Sequence, residues 1–211
     1  MKISYAIPVC NEHIELEKLL ELLLLHIDKN DEIVVQCDKG NTTPEVYKVL
    51  DTLKSPTGLK DPLKVIEFPL KGHFSNFKNN LKEHCTGDWV FQIDADELPH
   101  ESLIQNLKEL LRLNSTTELF LVPRVNTVDG LTQEHINQWR WNVNEKNWVN
   151  WPDYQTRIIQ NAPKIKWQNK VHEQIIGFST RGVLPTEEEW CLYHPKNIKR
   201  QEIQNKFYNS L

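Results

Sequence analysis

Gly87-Asp88-Trp89-Val90-Phe91-Gln92-Ile93-Asp94-Ala95-Asp96-Glu97 is the stretch on which the fold turns. Trp89 to Ile93 carry the aromatic and β-branched content of a short buried strand, and three carboxylates follow where a central strand would leave its sheet. Open α/β sheets bind ligands at that edge. Only Ala95 separates Asp94 from Asp96, so both carboxylates can approach one point. Mg²⁺ or Mn²⁺ takes oxygen ligands of this kind and keeps other positions for water and phosphate oxygens. A solvated acidic turn has the same spacing, so spacing alone leaves both readings open.

Upstream, Ile3 to Val9 is a continuous apolar run, the pattern of a strand buried on both faces. Asn11 is expected as the N-cap of a helix opened with Glu12, with Leu16, Leu19, Leu20 and Leu23 on one face. Glu32 to Gln36 reads as a second strand. Cys37 to Thr43 then reads as a polar turn leading to Pro44, which suits the first turn of a helix with Val46, Leu50 and Leu53 inward. Ser55 to Pro62 reads as a loop, Lys64 to Phe68 as a third strand, and Phe74 to His84 as a helix.

Downstream, a helix over His100 to Leu113 turns Leu103, Leu107, Leu110 and Leu111 inward. Strands alternating with helices of this length predict an α/β fold with βαβ units and a largely parallel central sheet. After a strand at Leu119 to Val122 the texture changes. Asn126 to Pro152 is polar and holds Trp139, Trp141, Trp148 and Trp151. Short strands are expected at Gln155 to Ile159, Lys164 to Trp167, Val171 to Ile176 and Trp190 to His194, with a closing helix over Ile198 to Tyr208. The second half therefore reads as an α+β layer on the first, with no linker and no internal repeat, and the 211 residues as a single domain.

Composition removes several classes. The net charge is −4 with no basic face, which argues against nucleic acid as a partner. Cys10, Cys37, Cys85 and Cys191 lie far apart, suggesting neither a zinc site nor a disulfide framework but reduced core thiols of a cytoplasmic protein. No secretory signal is expected at Lys2. The leucine run ending at Leu25 falls far short of the roughly 20 apolar residues of a membrane span, so contact with a lipid-linked acceptor would be peripheral.

Four motifs in register resemble the glycosyltransferases of family 2, which have the GT-A fold. They are Ile7-Pro8-Val9-Cys10-Asn11-Glu12, Asp38 after a strand, Lys78-Asn79 ahead of Gly87-Asp88-Trp89, and Asp94-Ala95-Asp96-Glu97. Later segments, Pro152-Asp153-Tyr154-Gln155-Thr156-Arg157-Ile158-Ile159, Val171-His172-Glu173 and Leu192-Tyr193-His194, are similar to the branch that includes lipopolysaccharide-core β-1,4-glucosyltransferases.

The resemblance implies a metal-dependent, inverting transfer of a hexose from a nucleotide-diphosphate sugar, with UDP-glucose or UDP-galactose as donor and a glycan or lipid-linked glycan as acceptor. Residues 1–123 would be the nucleotide-sugar half and 124–211 the acceptor side. Mn²⁺ or Mg²⁺ would sit on Asp96, with Asp94 beside it and nearer the ribose, answering the charge that gathers on the departing diphosphate. His194 is the match for a late metal ligand, with His172 competing. Pro8 and Asn11 would shape the nucleotide pocket and Asp38 would meet the uracil edge. Glu12, Lys78, Asn79 and Arg157 complete the nucleotide-side set, Lys78 standing where the family usually has Arg. The family's Glu-Asp dipeptide is missing, so Glu173 is the first candidate for the catalytic base and Asp153 the second. Trp139 and Trp148 are expected as exposed rings of an acceptor cleft, against the alternative that the tryptophans fill core. Two other classes remain: a catalytically silent nucleotide- or glycan-binding module, and a nucleotidyltransferase, which would want a phosphate loop that Pro8 to His13 lacks.

Overall fold

Strand β1 (Ile3–Val9) runs through the middle of a nine-stranded sheet and is buried along nearly its whole length. The computed structural model describes residues 1–54 and 62–208, and apart from Pro62 the loop expected over Ser55 to Pro62 lies outside them. The register against β2 (Glu32–Asp38) and β4 (Trp89–Gln92) is parallel, as is that of β2 against β3 (Leu63–Phe68). The crossovers are α1 (His13–His26), α2 (Pro44–Leu53) and α3 (Phe74–Glu83). Since parallel strands end together, Val9, Asp38 and the acidic run after β4 come out at one edge.

The strand period of two sorts side chains to the two faces. Tyr5, Ile7, Val35, Phe91 and Ile93 join the leucines of α1 and the inward face of α4 (Glu101–Leu113) in one core. Ala6, Val34 and Val90 face a second, with Leu81 of α3. Leu16, Leu19, Leu20 and Leu23 are all fully buried, as their spacing predicts, each worth about 1.5–3 kcal/mol. The cap of α1 differs from expectation: helix geometry starts one residue later, at His13. Asn11 does not cap it, because the Glu12 carboxylate accepts from the Cys10 and Asn11 amides and folds the entry loop back on itself.

Beyond β4 the sheet becomes mixed. After β5 (Leu98–Pro99), two long strands, β6 (Leu119–Asp129) and β7 (Val149–Gln160), pair antiparallel with two register shifts, and β7 also pairs antiparallel with β4. Both strands run well past the lengths that apolar content suggests. Strand β11 (Leu192–Asn197) pairs parallel with the polar end of β6, which explains why that end stays extended. Between them lies α5 (Gln133–Trp139). The hairpin β8 (Lys166–Gln168) and β9 (Gln174–Ile176) covers the second core, and β10 (Arg181–Val183) lies along β6. The expected strand from Val171 is shorter because the chain turns at His172, whose φ is +52°, and the expected strand at Trp190 begins with a turn of 3₁₀ helix. Helix α6 (Ile198–Tyr208) closes the described chain.

The four tryptophans do not divide into exposed and core sets. All are half-buried and paired, Trp139 against Trp141 and Trp148 against Trp151, with ring centroids 4.7 Å apart in each pair.

Candidate active site

Two glycines let the chain close around the site. A Cβ on Gly87 would stand 2.7 Å from the Ser4 amide nitrogen, so only glycine can cross β1 that closely just before β4 begins. Gly177 has φ +85°, and a Cβ there would strike the Lys164 carbonyl, so the end of the β8–β9 hairpin is equally specified.

A cavity of about 560 Å³ opens over the strand ends. Pro8, Glu12, Asp38, Lys78, Asp94, Asp96, His172 and Glu173 all line it, together with the apolar walls Leu70, Phe74 and Phe77. Asp38 belongs to the end of β2 rather than to the turn after it. Its carboxylate accepts from the Leu70 amide at 2.9 Å and from the Asn41 side chain at 2.9 Å.

The acidic run is neutralised from the second half of the chain. Arg157 of β7 is buried and donates to Asp94 at 2.5 Å and to Glu97 at 2.6 Å. Arg124 of β6 donates to Glu97 at 2.8 Å and to Asp153 at 2.6 Å. Burial pushes the Asp94 carboxyl up, but Arg157 and Lys78 beside it win and hold it below its usual value. Burial likewise raises Asp96, and His194, Arg200 and Lys196 overcome it to hold that group well below the carboxylate range. Both aspartates are therefore anions at neutral pH, each already facing a cation.

His194 lies on β11, parallel to β6, and its Nε2 stands 3.2 Å from Asp96 Oδ2. Its other nitrogen, Nδ1, meets Asn126 Oδ1 at 2.8 Å. Asn126 donates through Nδ2 to Asp153 at 2.8 Å, which turns its amide oxygen toward the imidazole, so Nδ1 carries the proton. Nε2 is the nitrogen that faces Asp96, where it donates to the carboxylate or would meet an ion in its place. Asp96 Oδ2 and His194 Nε2 are an oxygen and a nitrogen donor that would hold a divalent cation together, in the place of the Arg200 guanidinium 3.2 Å from the same oxygen. Among the described residues no group of three or more His, Cys, Asp and Glu converges on one point, so water and substrate oxygens would fill the remaining positions.

Glu173 is ion-paired with Lys78, and the pair lines the main cavity and two neighbouring ones. Lys78 also lies over the Trp167 ring, 4.5 Å from its centroid. Asp153 is held by Arg124, Asn126 and Gln155 and does not line the main cavity. Burial raises its carboxyl, and those partners bring it below its usual value. Asn11 is exposed and Asn79 binds both the carbonyl and the amide of Trp167, so neither faces the main cavity. Arg157 and His194 line an adjoining cavity of about 400 Å³ with Asp94 and Asp96.

Sequence reasoning missed Arg124, Asn126 and Arg200, and gave Glu97 no role. Three carboxylates within four residues demand cations from elsewhere, but nothing in the sequence says which. Arg200 of α6 stands 3.2 Å from Asp96, 3.3 Å from Glu12 and 3.1 Å from Glu15.

Comparison with known proteins bears on the family and the fold. The family model described as Glycosyl transferase family 2 matches residues 4–179. A curated protein of Haemophilus influenzae, described as an uncharacterized glycosyltransferase, is 31% identical over 83 residues, which is 39% of this chain and 29% of that protein. S. aureus TarS 1-349 in complex with UDP-GlcNAc superposes with a TM-score of 0.64 at 18% identity, covering 93% of this chain and 59% of that one. Another structure of TarS 1-349 gives 0.62 at 16% identity, covering 92% and 60%. The chain thus spans less than two thirds of the length of each of these relatives, and the shared fold is GT-A.

Proposed function

The chain belongs to glycosyl transferase family 2, and from that premise we propose that it transfers a hexose from a nucleotide-diphosphate sugar to a glycan hydroxyl with inversion. One observation carries the reading: Asp38, Asp94, Asp96 and the Lys78–Glu173 pair, drawn from four separate segments, line one cavity at the carboxyl ends of parallel strands. The nucleotide lies over Pro8 and Asp38, and the diphosphate toward Asp96. Asp96 and His194 would hold a divalent cation, which supplies Lewis-acid neutralisation of the leaving diphosphate.

Glu173 takes the proton from the acceptor hydroxyl as its oxygen bonds to the anomeric carbon. The bond to the diphosphate breaks with its electron pair leaving on phosphate oxygen. Protonation of Glu173 discharges its pair with Lys78, freeing that ammonium to meet the new negative charge. Asp153, committed to Arg124, keeps a structural role. The two halves, 1–123 and 124–211, act as one unit because β7 joins them and delivers Arg157. Glucose or galactose as donor sugar, a bacterial surface glycan of the lipopolysaccharide-core kind as acceptor, and a cytoplasmic location complete the proposal. No helix among the described residues is long and apolar enough to cross a membrane.

The test is UDP release from a panel of UDP-sugars with Mn²⁺, using Asp96→Ala as control. Release from at least one sugar that collapses in the variant is the expected result. Equal release by variant and parent would remove the metal reading.

A further inference from the structure

A second cavity, of about 390 Å³, adjoins the donor cleft at the Lys78–Glu173 pair. It is drawn from β6, β7, the β8–β9 hairpin and the edge strand β10, and its volume falls in the range of small-ligand sites. Tyr154 and Phe178 line it and are half-buried, leaving ring surface against which a sugar can lie. Among the described residues, the side chains of Thr156, Gln174 and Arg181 on its wall have no hydrogen-bond or ion-pair partner.

Charge decides the class of occupant. Four ionic side chains line the cavity: Lys78, Arg157, Arg181 and Glu173. Lys78 and Glu173 neutralise each other, and Arg157 is matched by Asp94 and Glu97. Arg181 is left as a cation without a counter-ion, beside a cavity whose one carboxylate is already paired. A planar guanidinium in that position suits a phosphate or carboxylate, which it can grip with two parallel hydrogen bonds.

We propose that this cavity receives the acceptor, and that the acceptor is an anionic sugar, a pyranose ring carrying a phosphate or carboxylate that docks on Arg181 while a ring hydroxyl reaches Glu173. Thr156 and Gln174 supply neutral hydrogen bonds to the remaining hydroxyls. The assignment rests on reading the neighbouring cleft as the donor site, because only then does Glu173 stand between donor and acceptor.

Ligand-observed NMR titration of the intact chain with glucose 6-phosphate, glucuronate, glucose and inorganic phosphate tests it. UDP is titrated into the same samples. At least one anionic sugar is expected to bind about tenfold tighter than either glucose or inorganic phosphate, with Arg181→Gln erasing that margin and Arg181→Lys restoring part of it. Whichever anionic sugar binds tighter identifies the phosphate or the carboxylate as the group recognised. Arg181 is exposed on an edge strand, so an unchanged melting temperature certifies that the variant is folded. Glucose or free phosphate binding as tightly as both anionic sugars, or a margin that survives Arg181→Gln, would overturn the proposal. Failure of UDP to bind would overturn the donor reading instead, while the sugar titrations still report on Arg181.

Discussion

His194 Nε2 faces Asp96 Oδ2 across 3.2 Å, joining side chains 98 residues apart. Asn126 holds the other side of the ring, and partners of this kind are worth about 10–100-fold in metal affinity. Asn126→Leu should therefore reduce, by about that factor, the gain in UDP affinity that Mn²⁺ gives over chelator, and His194→Gln should reduce it further. Calorimetric titration measures both. An unchanged gain in the two variants would detach this histidine from any ion.

Arg157 balances two carboxylates, of which the Glu97 side chain has no solvent exposure at all. Removing one partner of a buried ionic set leaves a charge without compensation. Arg157→Met should cost about 3–5 kcal/mol in urea unfolding. A loss below about 1 kcal/mol, the size usual for exposed pairs, would mean water reaches the set.

Glu173→Gln keeps the shape of the residue and removes the proposed base. Transfer should fall by about 10²–10⁴-fold while UDP affinity is retained. Asp153→Asn should instead lower the melting temperature, since Arg124 loses its counter-charge and one of the two oxygens shared by Arg124, Asn126 and Gln155 becomes a donor. The opposite pattern, with Asp153→Asn abolishing transfer in a stable protein, would reverse the two assignments.

Glu32 stitches β1, β2 and the loop before β4, accepting from Lys2, Ser4 and Thr86. Burial raises its carboxyl, but these donors bring it from 4.5 down to about 2. A group lowered by folding contributes stability that is complete above its unfolded value and disappears as pH falls through the folded one. The parent should lose this contribution between about pH 4.5 and pH 2, and Glu32→Gln should show a flatter acid limb in that window. Identical limbs would show that the carboxylate is not anchored in this way.

Gly177→Ala should cost about 1–3 kcal/mol, because φ is left-handed and the added methyl meets the Lys164 carbonyl. The same change should depress transfer, since the hairpin positions Trp167 against Lys78. Wild-type stability would show that the turn can relax.

The first hundred residues were legible because β1, β2 and β4 are buried on both faces and each helix has one apolar stripe. Ile3–Val9 and the four leucines of α1 need no distant information. Asn11 misled because a cap depends on which side chain reaches the first-turn amides, and none does: the Glu12 carboxylate turns back to the Cys10 and Asn11 amides instead. The second half was less legible because β6 and β7 owe their length to each other and to β11 rather than to apolar content. From Thr127 to Asp129 the chain is strand because β11 lies beside it. Of the site, the acidic strand end and Asp38 could be read locally. The cations that answer them, Arg157 across 63 residues from Asp94 and Arg200 across 188 from Glu12, are facts of tertiary structure.

Arg200 ties the first helix and the organising strand to the last described helix through Glu12, Glu15 and Asp96. On a ribosome, where about 5–20 residues are added each second, the amino-terminal sheet would emerge many seconds before this guanidinium does. The nascent chain therefore has the strand ends proposed to carry the nucleotide before Arg200 can close on Asp96. Asp96 thus gains this cation only after α6 has been made, long after its own strand.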